Sequence, residues 1–298
     1  MTTPAALPDE RLVAATAAAV APAAAASAPV PLRRDPRAIA GGALLALVVL
    51  AAVAGPPLYG VDPNLLDLAD AGAAPGVGHP LGTDESGRDV LARLLAGGRV
   101  SLAVGFAAMV VSVVAGTTLG ALAGVRRGWA DTLLMRFTDA ALSIPTIFVV
   151  ISVVTFLGPT IPTLVLAIGA TSWMGLARLV RGELLALREM PFAEAAVALG
   201  ERPVPLFARH LLPHLWPAVL VNATLGVGTA ILTESALSFL GLGVQPPAAS
   251  WGNMLSGAQS YLFSYPWLAV YPGAMIMFTV VAINLLGEAL GDRLHPPA

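Results

Sequence analysis

Six stretches of this chain are each long and apolar enough to cross a lipid bilayer, and no other feature narrows its fold as much. They are Arg37–Leu58, Ser101–Val125, Thr132–Leu157, Ile161–Val180, Leu215–Leu237 and Trp267–Leu290. A helix crossing the hydrocarbon core needs about 20 predominantly apolar residues. Within that core each backbone N–H and C=O must be satisfied inside the protein, which favours helices. Composition agrees. The 298 residues are 57% hydrophobic and 11% charged, with a mean hydropathy of +0.80, against roughly 25% charged in an ordinary soluble domain. One globular core cannot hide this much apolar surface. The predicted fold is an all-α integral membrane protein with six transmembrane helices.

Polar segments divide the chain. Residues 1–36 are rich in alanine and proline and lack periodic large apolar residues, so they are expected to form a disordered cytoplasmic tail. The run Leu12–Ala28 loosely resembles a signal peptide, but acidic Asp9 and Glu10 precede it and Pro22 interrupts it. Residues 37–99 hold the first span and an extracytoplasmic loop. Residues 100–290 hold the other five spans and a charged loop at 181–214, and residues 291–298 form a short tail. With the N-terminus inside, the cytoplasmic segments carry Arg33, Arg34, Arg37, Arg126, Arg127, Arg181, Arg188, Arg202, Arg209 and Arg293. The outer segments carry Arg88, Arg93 and Arg99. This bias puts both termini in the cytoplasm. In the first outer loop, Thr83-Asp84 cap a run in which Val90, Leu91, Leu94 and Leu95 recur at helical spacing. A short amphipathic helix over Asp84–Leu95, lying along the outer surface, is expected. A second short helix is expected near Trp251–Tyr261.

Several chemistries are excluded. A net charge of −2 argues against nucleic-acid binding. There is no cysteine, hence no disulfide, zinc–thiolate site or thiol nucleophile. All the basic residues are arginines. A phosphate-binding Walker A loop and a Schiff-base enzyme both need lysine, so neither resides here. His79, His210, His214 and His295 are dispersed, and no acid completes a metalloprotease pattern with His210 and His214. No G-x-S-x-G elbow occurs. Gly226-Val-Gly228 and Gly241-Leu-Gly243 do not extend into a dinucleotide fingerprint. Asn222-Ala-Thr224 matches a glycosylation pattern but falls inside a span. No catalytic residue and no metal ligand is predicted, which weighs against a membrane enzyme.

Residues 191–217 are the informative interruption. Phe192–Leu199 is helix-forming, and its alanines let another surface come close to the backbone. Glu194 offers a charge to a partner's arginine, a pairing that strengthens when the interface dries. Gly200 permits a left-handed backbone that ends the helix, and Pro213 and Pro217 sit near the start of the fifth span. The bland alternative is an ordinary solvated loop. Elsewhere, Glu234 near the outer end of the fifth span is a candidate for the substrate pathway, since intramembrane acids are costly and usually functional. A structural acid paired with a neighbouring helix is the alternative. Asn284, Glu288 and Asp292 share one face of the sixth helix and read as a solvated helix end. Asp131, Arg136 and Asp139 gather at the start of the third span, where Arg136 and Asp139 are spaced to pair. Gly116, Gly120 and Gly124 form a small-residue face suited to close helix packing. Pro145 and Pro162 are expected to kink or start helices.

Glu194-Ala195-Ala196, then Gly200, then Leu212-Pro213 resembles the EAA coupling loop of binding-protein-dependent ABC importer permeases. Three further stretches resemble the dipeptide/oligopeptide/nickel branch, second-permease type. These are His79 through Leu95, Gly128 through Asp139 with Ile144-Pro145, and Glu234 through Pro247 with Trp251-Gly252. The likeness covers roughly residues 79–293, with edges blurred by a few residues. It implies a type I importer fold with its coupling loop at 181–214 and ATPase-coupling residues Glu194, Ala195, Ala196, Gly200, Leu212 and Pro213. It also implies a second homologous permease, two ABC ATPase subunits or domains, and an extracytoplasmic solute-binding protein. No cofactor is expected in this chain, because ATP and Mg would be bound by the ATPase partner. The implied function is uptake of di- or oligopeptides across a bacterial cytoplasmic membrane by alternating access. Nickel or another small solute is the alternative cargo, and an ATP-independent secondary transporter the alternative class. Two departures stand out. His210 stands where the broad family pattern prefers an aliphatic residue, although histidine suits the peptide branch, and Pro203 and Pro205 come so soon after Gly200 that the next helix is expected to start late, near Leu206.

Overall fold

The computed structural model describes residues 32–126 and 128–294. Most of the predicted N-terminal tail, Arg127, and the end of the C-terminal tail with His295 lie outside the described residues.

The described chain is helical, with an isolated bridge between Thr83 and Asp89 its only β pairing. The helices are α1 (Pro36–Tyr59), α2 (Val90–Arg126), α3 (Trp129–Leu142), α4 (Thr146–Leu157), α5 (Ile161–Arg188) and α6 (Pro191–Ala198). Then come α7 (Pro203–Phe239), α8 (Trp251–Ala258) and α9 (Trp267–Leu294). Five of them, α1, α2, α5, α7 and α9, are long and apolar enough to cross a membrane. The pair α3 and α4 makes a sixth span if counted as one, bent by 83° at the break.

That bend corrects the expectation of one continuous third span. Proline has no N–H to donate and disfavours helical backbone in the residue before it. Pro145 therefore stops α3 at Ser143-Ile144 and becomes the cap from which α4 starts. Pro162 falls in the first turn of α5, where Thr160 caps the N–H of Thr163, a place that tolerates proline.

A second correction concerns the first loop. No separate surface helix covers Asp84–Leu95. Thr83–Arg88 is a tight turn, and α2 then runs unbroken from Val90 to Arg126, 37 residues. At 1.5 Å per residue that is about 55 Å, well beyond a core of about 30 Å. The helix passes through Gly97 and Gly98 because both sit against neighbours. A Cβ at Gly97 would lie 3.2 Å from the Ser250 backbone, and one at Gly98 would lie 3.0 Å from the Trp251 ring. Tertiary contact selects glycine there without breaking the helix. Asp89 is the true cap, accepting the Ala92 N–H at 2.8 Å. Its other oxygen accepts the Tyr59 hydroxyl at 3.0 Å and meets His79 Nδ1 at 2.8 Å. Asp70 lies 3.6 Å from His79 Nε2. The hydrogen bond to Asp89 holds the His79 pKa above its ordinary value, with Asp70 helping and desolvation opposing.

The long α2 is the spine of the bundle. It packs most extensively along α5 and also against α7 and α1, while α9 closes the other side against α1 and α7. Gly116, Gly120 and Gly124 face α5. A Cβ on them would lie 2.9 Å from Leu176, 2.5 Å from the Ala177 carbonyl oxygen and 3.0 Å from Leu184. Val104, Ala108, Val150, Leu164, Ile168 and Ala230 form a buried core where α2, α4, α5 and α7 meet. Burying apolar side chains of this size stabilises by about 1.5–3 kcal/mol each in water. Between spans within lipid, the gain comes from packing instead.

Polar ties fasten the ends. Arg181 of α5 clamps Asp131 of α3 with two bonds of 2.5 and 2.8 Å. Asp139 lies 3.9 Å from Arg178. The expected Arg136–Asp139 pair is therefore not formed, because α5 brings its own arginines alongside α3. Arg188 donates to the carbonyls of Gly124 and Val125 and so satisfies the end of α2. Asn284, Glu288 and Asp292 are exposed, and Asp292 accepts from Arg37 at 2.6 Å.

Candidate functional site

The chain's two candidate acids occupy opposite ends of the bundle. At one end α6, an eight-residue helix, links α5 to α7. Pro191 opens it, and its buried stripe is Ala193 and Ala196, three residues apart on one face. These two join Leu184, Leu206, Leu211 and Leu215 in a core that ties α6 to the ends of α5 and α7. Phe192 stacks on the His214 ring at 4.7 Å. The opposite face carries Glu194, Ala195 and Ala198, all exposed. Glu194 makes no hydrogen bond or ion pair with any described residue. Beside it, Val197 is 55% and Leu199 90% exposed. The result is a short rigid helix presenting one carboxylate among small and apolar side chains.

Backbone chemistry sets the path of the chain beyond α6. Gly200 has φ +84° with nothing within 4 Å of its Cβ position, so backbone conformation, not crowding, calls for glycine. Its N–H and that of Glu201 return to the Val197 and Ala196 carbonyls, closing the helix in the manner of a Schellman motif. Contrary to the late start expected, α7 begins at Pro203. The first three positions of a helix have N–H groups without intrahelical partners, so Pro203 and Pro205 forfeit nothing there. The Leu206 N–H makes the first helical bond, to Arg202 O at 3.0 Å. Pro213 does disturb α7. It cannot donate to the carbonyl four residues back, and its ring would crowd that carbonyl. The helix widens into a π turn over Phe207–Leu211, and His214 Nδ1–H donates to the His210 carbonyl at 2.7 Å. Leu212 is half-buried and Pro213 exposed. His210 Nε2 meets Glu201 at 2.8 Å, tying the loop after Gly200 to α7.

At the other end, Glu234 of α7 is fully buried. Ser101 of α2 donates to Oε2 at 3.0 Å and Ser238 of α7 to Oε1 at 2.7 Å. The same hydroxyls accept in turn. Ser101 takes the Trp251 N–H at 3.2 Å, and Ser238 takes the Val244 N–H at 3.1 Å. Ser250, which caps α8 through a reciprocal box with Asn253, lies 3.5 Å from the Ser238 hydroxyl. Trp251 is also buried and donates its ring N–H to Leu94 O at 3.0 Å. Among the described residues Glu234 forms no ion pair. The carboxyl therefore knots α2, α7 and the start of α8 through hydroxyl groups. Sequence reading singled out Glu234 but missed Ser101, Ser238 and Ser250, whose only local signal is the Ser250-to-Asn253 capping pattern. The α8 helix itself, with the 3-10 turn Gln259–Tyr261, falls where a short helix was expected.

Comparison with known proteins places this architecture. The dipeptide transport system permease protein DppC of Alkalihalophilus pseudofirmus is 38% identical over 265 residues, 89% of this chain and 87% of the relative. The oligopeptide transport system permease protein OppC of Haemophilus influenzae is 40% identical over 265 residues, 88% of this chain and 85% of the relative. The glutathione transport system permease protein GsiD of Pectobacterium atrosepticum is 38% identical over 260 residues, 87% and 86%. Residues 116–297, most of the chain, match the family model for binding-protein-dependent transport system inner membrane components. That stretch holds α6, Glu234 and every crossing helix after α2, and the fold is the type I ABC importer permease fold. The chain belongs to the family of binding-protein-dependent transport system inner membrane components, the multi-pass membrane subunits of ABC importers.

Proposed function

We propose that this chain is one permease subunit of an ATP-driven peptide importer in a bacterial cytoplasmic membrane, and that α6 is the helix through which an ATPase partner moves it. The names of its relatives support peptides over nickel as cargo. The end bearing α6 is the cytoplasmic one. Arg126, Arg181, Arg188, Arg202, Arg209 and Arg293 gather in its segments, and positive charge favours that side. The end bearing α8 then faces the solute-binding protein.

The observation that carries the reading is the division of α6 into an anchored face and an unpartnered one. Ala193 and Ala196 bind it to the ends of two crossing helices, so a push on α6 is transmitted to α5 and α7. Glu194 and Ala195 meet the ATPase, and Gly200, Leu212 and Pro213 shape the return into α7. No lysine is present to form a Walker A loop in this chain, so hydrolysis and its Mg belong to the partner. ATP binding closes two such ATPase subunits. The coupled α6 helices of this permease and its homologue move with them, and the pathway alternates between inward-open and outward-open.

Substituting Glu194→Ala in the assembled complex in proteoliposomes is expected to lower peptide uptake about tenfold or more and to weaken ATPase retention, as loss of one partner of a desolvated charge pair does. Wild-type uptake and ATPase retention in that variant would overturn the coupling role of α6. ATP-independent uptake by the subunit alone would overturn the importer reading itself.

A further inference from the structure

Between α2, α4, α5 and α7 lies a groove of about 420 Å³. Its polar lining comes from Thr146 of α4, Thr171 and Ser172 of α5, and Asn222, Thr229 and Thr233 of α7. No charged side chain lines it. A groove of similar size beside α1, about 470 Å³, is walled mainly by apolar residues such as Leu45, Val49, Phe106 and Ile283, with Arg99 and Thr224 its polar members.

The hydrogen bonds show which groups are available. Thr171, Ser172 and Thr233 donate their hydroxyl protons to carbonyls of the preceding turn. Their oxygens keep acceptor capacity toward the groove. The half-buried Asn222 amide bonds to no described residue, and neither do the Thr146 and Thr229 hydroxyls. Asn222 and Thr229 lie well inside α7, away from both of its ends. An amide left unpaired against hydrocarbon costs several kcal/mol. Hydroxyls can hide such a cost by bonding backward along their own helix; an asparagine amide with two donors and a carbonyl cannot. The groove therefore faces water, a polar solute or a polar surface of another subunit, and not lipid. Thr146, the first residue of α4 after the break, stands at the same wall.

Resting on the importer reading above, we infer that this groove is the subunit's wall of the translocation path, and that it engages the main-chain amides of a passing peptide without reading side-chain charge. Peptide N–H and C=O groups are the complement of an array of hydroxyl oxygens and a free carboxamide. The groove supplies no countercharge to prefer acidic or basic cargo.

The cysteine-free sequence makes the test direct. In the complete complex in proteoliposomes, single variants Asn222→Cys and Thr229→Cys would be treated with a charged, membrane-impermeant methanethiosulfonate, and labelling of this chain read by mass. Phe106→Cys, on the apolar groove, is the control. Both groove variants are expected to react, and a saturating neutral tripeptide to slow them about fivefold or more, with Phe106→Cys inert. Separately, Asn222→Leu is expected to raise the KM for neutral, acidic and basic tripeptides by similar factors, roughly five- to tenfold, the value of one hydrogen bond. An Asn222→Cys variant that takes up peptide yet stays unlabelled would show a wall buried against another subunit and overturn the inference alone. A KM change confined to one cargo charge would overturn main-chain recognition. Absent uptake in the wild-type complex would instead reject the parent reading, and this inference with it.

Discussion

Glu194 and Glu234 each precede small residues in the sequence, Ala-Ala in one case and Ser-Ala in the other, yet the fold uses them in opposite ways. Glu194 stands on the open face of α6 with no partner in the described chain. Glu234 is fully buried, with both carboxyl oxygens accepting from serines of two helices. An acid with no internal partner is available to another molecule. An acid whose two oxygens each accept from a neighbouring serine is tied into its own fold, and removing it leaves those hydroxyl protons without an acceptor. The contrast shows how little an acid's position along a span says about its role, and how much its neighbours do.

Substitutions at four positions bear on this contrast. The largest effect on stability is expected from Glu234→Ala. It removes the common acceptor of Ser101 and Ser238 and opens a cavity, at a cost of roughly 2–4 kcal/mol. A lowered thermal midpoint of the detergent-solubilised complex would register it. Glu234→Gln keeps the shape and an acceptor and should cost about 1 kcal/mol or less. If Ala and Gln behave alike, the serine knot is not what holds α8 in place.

Next is Gly200. At φ +84° any Cβ is strained, although the surroundings are open. Gly200→Val should cost about 1–2 kcal/mol, and Gly200→Asn, which tolerates the left-handed region, clearly less. Equal melting curves for the two variants would mean that the turn relaxes to another conformation.

A smaller effect is expected at His79, which faces Asp89 and Asp70, with Tyr59 bonded to the same Asp89 oxygen. Its pKa is raised above the ordinary 6.5 by the hydrogen bond to Asp89. The folded loop therefore binds the proton more tightly than the unfolded one. Its contribution is complete below the ordinary value and fades as pH rises through the elevated one. Limited proteolysis of the loop should accelerate over that rise in the wild type and not in His79→Asn. A rate with the same pH response in both would remove His79 from the account.

The smallest effect on stability is expected for Glu194→Ala, within about 0.5 kcal/mol, because the side chain is exposed and unpartnered. Its uptake should nevertheless fall. A large loss of stability would mean that Glu194 belongs to the fold after all, and the two acids would no longer be opposites.

Much of the architecture was legible in the chain because its signals are local. A span declares itself by about twenty apolar residues. Pro145, Pro162 and Gly200 act on their own backbone dihedrals. The break at Pro145 was therefore anticipated in kind, although its 83° angle was not. Pro203 and Pro205 misled because the penalty for proline depends on its position within a helix, and the helix start was not known in advance. The outer-loop helix expected apart from the second span failed for a related reason, at Gly97 and Gly98. Read locally they weaken a helix, whereas here they admit Ser250 and the Trp251 ring, which are remote in sequence. Arg136 and Asp139 had the spacing to pair, but Arg181 of another helix holds Asp131, and Arg178 of that helix lies 3.9 Å from Asp139.

The amino-acid sequence by itself determined that this chain lives in a bilayer, that it carries a polar elbow with an acid, small residues and a helix-ending glycine, and that it has no lysine with which to grip a nucleotide. Those are properties of composition and of near neighbours, set by hydration and by single-residue backbone preference. Only the tertiary structure decided that one glutamate has no partner among the described residues while the other is enclosed, that α2 runs on through its glycines, and that six polar side chains from three helices share one groove. Each of these depends on which atoms meet across long stretches of chain, and that is settled when the helices pack.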